Sequence, residues 1–183
     1  MSWRNILSVA MSSNTELTVQ DAAAVAFNEG RAFRIGYEFN LSTTSDDRVI
    51  RLVLTNNIVL TKSSLELDSG GVRYTVIAGG ASVSTFSETI STLAKNGKSD
   101  APSFTTGSTF AGGVDGAVVT SGTELPIARI RTASGNNSRS TNLSDSSERR
   151  GFAPGTYYLH LENLPAVNDD STGILNLEWY EEL

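Results

Sequence analysis

The chain has 183 residues, no cysteine and a formal charge of −6. Without cysteine there can be no disulfide, thiolate–zinc or iron–sulfur site, and no thiol nucleophile. The acidic balance argues against generic coating of DNA or RNA, which needs a basic face, and no apolar run reaches the roughly 18–20 residues of a membrane helix.

Met1 to Gly30 shows no strand alternation. Trp3, Arg4, Ile6, Leu7 and Val9 lie in this unpatterned stretch. The run from Ile6 to Met11, broken by Ser8, is shorter than a usual signal segment and has no clear cleavage site, so the chain is expected to start at Met1 without an export signal. Two readings stay open. The stretch folds back on the domain, or it is an arm that anchors on a neighbouring subunit through Trp3, Arg4, Ile6, Leu7 and Val9. Ala22 to Phe27 fits either a short helix or a segment extended along a surface.

The clearest strand is Arg31 to Leu41. Phe33, Ile35, Tyr37, Phe39 and Leu41 fall on alternate positions, with Arg34, Gly36, Glu38 and Asn40 between them. That is the period of a half-buried strand. Arg48 to Thr55 follows, with Ile50, Leu52 and Leu54 on one face, between turns marked by Asp46-Asp47 and Asn56-Asn57. Ile58 to Leu67 and Val72 to Ala78 are extended segments around the turn signal Asp68-Ser69-Gly70-Gly71. Ser82 to Leu93 has apolar spacing that fits a helix, but its serine and threonine content favours extended chain. Further strands are expected at Ser103 to Phe110, Ala117 to Thr120 and Thr123 to Thr132; Pro126 in the last points to an edge strand or a bulge. Ala133 to Arg150, polar apart from Leu143, is expected as a long exposed loop. Thr156 to Leu164 and Gly173 to Glu182 are strong strands that could form a closing hairpin.

About eight to ten short strands separated by Gly, Asn, Asp and Ser turns predict an all-β antiparallel sandwich, jelly-roll-like, with an extended N-terminal arm. The expected division is residues 1–28 as arm and 29–183 as sandwich domain.

Little in the sequence points to catalysis. His160 is the only histidine, and no G-x-S-x-G nucleophile elbow accompanies it. Asp46-Asp47 and Asp169-Asp170 lie in turn sequence without EF-hand spacing. Gly79-Gly80 and Gly112-Gly113 are followed by no Lys-Ser or Lys-Thr of a phosphate loop. The chain is expected not to be an enzyme and to need neither metal nor cofactor.

The C-terminal stretch carries a resemblance. Pro154-Gly155-Thr156-Tyr157-Tyr158-Leu159-His160-Leu161-Glu162-Asn163, followed by Gly173-Ile174-Leu175-Asn176-Leu177-Glu178-Trp179-Tyr180-Glu181, resembles the ending of a large group of tailed-bacteriophage virion proteins. Gly30-Arg31-Ala32-Phe33 and Arg51-Leu52-Val53-Leu54-Thr55-Asn56 are similar in placement. The resemblance implies a capsid decoration (cement) protein that binds the major capsid protein and stabilises the head. It further implies a homotrimer, made in the host cytoplasm and located on the capsid surface of the virion, with no nucleic acid, membrane or catalytic residue involved. The alternatives are a tail, collar or fibre component, or a glycan-binding sandwich for host attachment with Tyr37, Tyr74, Tyr157, Tyr158 and Trp179 as stacking rings.

Overall fold

A computed structural model describes residues 9–11, 17–19, 21–42, 47–82, 84–97, 104–113, 118–131, 139–142, 150–164 and 170–182. The N-terminal elements are β1 (Val9–Met11), β2 (Leu17–Val19) and α1 (Ala22–Asn28). The strands β3 (Ala32–Leu41), β4 (Asp47–Leu54), β5 (Ile58–Ser69) and β6 (Gly71–Ala78) follow. Next come β7 (Ala81–Ser82), β8 (Phe86–Ile90), β9 (Leu93–Ala94), β10 (Thr109–Gly113), β11 (Val119–Thr120) and β12 (Thr123–Arg131). The last are β13 (Arg139–Asn142), β14 (Arg150–Phe152), β15 (Gly155–Asn163) and β16 (Ser171–Glu181).

The alternation in β3 becomes geometry directly. Phe33, Ile35, Tyr37, Phe39 and Leu41 are buried, while Arg34, Glu38 and Asn40 are exposed. The same period places Ile50, Leu52 and Leu54 of β4, Leu159 and Leu161 of β15, and Leu175, Leu177 and Trp179 of β16 in one shared core. The Phe110 and Trp179 rings, from opposite sheets, meet across it with centroids 5.1 Å apart. The expected antiparallel β-sandwich is therefore the fold.

Its winding is regular. β3 pairs with β16, β4 with β15, β5 with β13 and β14, and β6 with β12, all antiparallel. First meets last, and second meets next to last, as in one long doubled chain. The pairs β16–β5 and β15–β6 then roll it closed. Among the described residues one sheet runs β12-β6-β15-β4-β10-β8 and the other β13-β5-β16-β3-β9, with β14 also on β5.

Four sequence expectations are corrected. β15 and β16 are not a hairpin, because they lie in opposite sheets and face each other across the core. The chain passes between them at a tied corner, where Ser171 Oγ donates to Asn163 Oδ1 over 2.6 Å and accepts from Gly71 N over 2.8 Å. The β5–β6 connection crosses at the same corner on Gly70, whose φ is +77° and where a Cβ would lie 2.2 Å from Ser171 Oγ.

The second correction concerns the polar stretch 133–150, which contains β13 paired with Ser64–Leu67 of β5. An edge strand is held by backbone hydrogen bonds and needs no apolar pattern. Third, α1 belongs to the sandwich and not to a free arm. Asp21 caps it by accepting from Ala23 N over 3.2 Å, and its Ala26 is fully buried with Val59 and Tyr180. Fourth, the stretch before it is not wholly without pattern, since Val9 pairs with Val19 in β1–β2.

Other expectations stand. The described residues of Ser82 to Leu93 contain no helix and include β8. β12 is an edge strand, and its register shifts between Pro126 and Ala128. That is the edge position and the bulge that proline favours.

Candidate interaction surface

The candidate anchors Trp3, Arg4, Ile6 and Leu7 lie outside the described residues, as do Asp46 and Asp169; Val9 is in β1. The candidate stacking rings do not form a platform. Tyr37, Tyr74 and Trp179 are core residues. Tyr157 packs edge-on against Phe152 at 5.2 Å, and its hydroxyl donates to Ala153 O over 3.0 Å. Tyr158 is buried on the other side of its sheet.

Glu181 is the most completely enclosed ionisable group described. Asn56 Nδ2 and Ser108 Oγ donate to its carboxylate over 2.8 and 3.0 Å, Gly107 N over 3.0 Å, and Thr106 Oγ1 also donates. Burial acts to raise its pKa, but these hydrogen bonds outweigh that and hold the carboxyl below its ordinary value of 4.5. The group ties the turn after β4 and the 106–108 segment to the end of β16. The strand expected over Ser103 to Phe110 is corrected: of its described residues 104–110, only Thr109 and Phe110 are in β10 (Thr109–Gly113). No sequence motif marked Glu181, because its hydrogen-bond donors come from two segments far from it in sequence, Asn56 and Thr106 to Ser108.

The outer face of the β12-β6-β15-β4-β10-β8 sheet carries several ion pairs. His160 Nε2 lies 2.8 Å from Asp47 Oδ2, on neighbouring strands. Arg73 pairs with Glu162 at 3.3 Å and with Glu124 at 3.8 Å. Such half-exposed pairs each contribute little, about 0–1 kcal/mol. Among the described residues no three His, Asp or Glu side chains converge on a metal position. No described helix is long and apolar enough to cross a membrane.

Phe86, at the start of β8, and Val119 of β11 lie over part of this face. They cover Val49, Ile77 and Tyr158, making a small second core on the side of the sheet away from the main core. Phe86 meets Tyr158 with ring centroids 5.8 Å apart, and its ring lies 4.9 Å from Arg51 Cζ. No family model matches the sequence, and no curated protein and no solved structure matches it.

Exposed apolar side chains lie at the margins. Val118 precedes β11, Leu125 is on edge strand β12, and Leu93 is on edge strand β9.

Proposed function

We propose that this chain is a structural protein of a tailed-bacteriophage virion, and specifically a decoration protein that binds the major capsid protein on the outside of the head. One observation carries the reading. The four segments that resemble phage virion proteins, 30–33, 51–56, 154–163 and 173–181, lie at the start of β3, in and just after β4, and along β15 and β16. These strands form two of the first-with-last pairs, one in each sheet. The resemblance therefore falls on the framework of the fold rather than on scattered loops.

The winding supports reading the sandwich as a jelly roll, an architecture used by viral capsid and lectin domains. A rigid rolled body that presents its faces to a lattice suits decoration, where many modest contacts to repeated sites add up. A homotrimer matches the local three-fold positions such a lattice offers, and residues before Asp21 would act as its anchor.

The test is to mix the purified chain with heads lacking it, and separately with tails, followed by co-sedimentation and cryo-EM. Ordered density on heads at regular positions is the expected result. Density on tails alone would move the chain to the tail, collar or fibre reading, and binding to neither would discard the virion assignment.

A further inference from the structure

We infer that Asn96 is a self-modification site: the backbone nitrogen of Gly97 converts its side-chain amide to a carboxylate, and the conversion loosens α1 on the sandwich. The inference does not depend on the virion reading.

Asn96 is the only asparagine in the chain that a glycine follows. The pair comes just after β9, outside any strand, and Gly97 is exposed. Without a side chain, Gly97 shields its own nitrogen little and its backbone turns readily toward the residue before it. Nothing lies within 4 Å of the position a Gly97 Cβ would take, so no neighbour crowds the site. Among the described residues, Gly97 N donates to no backbone acceptor.

The chemistry is an intramolecular attack, favoured because the reacting groups belong to adjoining residues. Gly97 N gives up its proton and bonds to Asn96 Cγ. The Cγ–Nδ2 bond breaks, and the nitrogen leaves as ammonia while a cyclic imide closes. Water then opens either carbonyl of the ring. The product is aspartate or, with the main chain routed through the side chain, isoaspartate. Amide and water become acid and ammonia, and no other reactant is required.

The consequence follows from where the departing nitrogen points. Asn96 Nδ2 donates to Phe27 O over 3.0 Å, in the last turn of α1. That bond ties the segment after β9 to the helix. After conversion, a carboxylate that can only accept faces the same carbonyl. The hydrogen bond is lost and oxygen meets oxygen, at the helix end where negative charge is least favourable. Phe27 O keeps its bond from Gly30 N over 3.2 Å, and Ala26 keeps its contacts with Val59 and Tyr180. The helix is therefore loosened and not unfolded. Because α1 links β2 to β3, the attachment of the N-terminal elements slackens with it.

The test ages the purified full chain at mildly alkaline pH and follows amide-to-acid conversion and isoaspartate by peptide mass spectrometry, beside G97A and N96D. G97A is a folded control, since the Cβ meets open space and Gly97 is not among the positive-φ glycines. Conversion at Asn96 should outpace that at Asn40 and Asn176, which precede leucines in β3 and β16. It should slow several-fold or more in G97A. Hydrogen exchange of the α1 amides should be about two- to ten-fold faster in aged wild type and in N96D than in fresh wild type, the worth of one hydrogen bond. Conversion at Asn96 no faster than at Asn40, or as fast in G97A, overturns the site. Unchanged α1 exchange in aged wild type that carries the converted residue overturns the link to the helix, and that reading holds even where N96D fails to fold.

Discussion

Asn56 Nδ2 donates to Glu181 Oε2 over 2.8 Å and so joins the turn after β4 to the last strand of the opposite sheet. Both sheets are thereby held at this end by a carboxylate, as they are held at the Ser171–Asn163 corner by a hydroxyl and an amide.

Replacing that carboxylate is expected to be costly. In E181Q one acceptor oxygen becomes an NH2 group facing donors from Asn56, Thr106, Gly107 and Ser108. A loss of about 2–4 kcal/mol is expected, read from urea denaturation. An unchanged midpoint would show that the cage carries no stability.

The same group sets an acid limit. The folded-state pKa of Glu181 is lowered from 4.5, so its ionised form stabilises the fold. That contribution is complete above the unfolded value, declines as pH drops below it and is gone once pH falls through the folded value. Denaturation midpoints measured at stepwise lower pH should therefore fall more steeply for wild type than for E181Q, and parallel curves would count against the linkage.

The Gly70 corner should tolerate no side chain. G70A places a Cβ 2.2 Å from Ser171 Oγ and 2.7 Å from Ser171 Cα, at a φ of +77°. Strain at such a backbone alone is worth about 1–3 kcal/mol, and the clash adds to it. A melting temperature equal to wild type would refute this account of the crossing.

Core continuity across the sheets can be measured on Phe110 and Trp179, whose rings meet at 5.1 Å. W179A is expected to cost about 3–5 kcal/mol. A double-mutant cycle with F110A should return a coupling of about 0.5–1.5 kcal/mol beyond area burial, whereas additive single effects would mean that the rings do not interact.

Deleting residues 1–20 keeps Asp21, which caps α1. The shortened chain should melt near the wild-type temperature yet lose most binding to heads. Full binding would remove the anchoring role from Trp3, Arg4, Ile6, Leu7 and Val9.

What could be read in advance followed from periodicity. Phe33 to Leu41 and Leu175 to Trp179 announce their buried faces because a strand repeats every two residues. Pro126 announced an edge because it lacks a ladder donor. Pairing was less legible: β15 and β16 look like neighbours in sequence, but whether two strands lie side by side or face to face depends on the whole winding. β13 was hidden because Arg139 to Asn142 has no apolar alternation, and its strand state comes only from the free edge of β5. Glu181 was invisible as a special position, because its surroundings are assembled from residues far apart in sequence.

The doubling of first strand on last bears on how the protein is made. β16 fills the slot between β3 and β5, yet it is synthesised after every other strand described. Until it emerges, β3 and β5 each have an unpaired edge and the core lacks Leu175, Leu177 and Trp179. Pairings this distant in sequence are slow to form and leave nascent chains prone to stick to one another. Closure of the sandwich is therefore a late event, and only a chain complete through β16 presents the finished sheet face and the Glu181 latch. Truncated products cannot complete the sandwich, by their own topology.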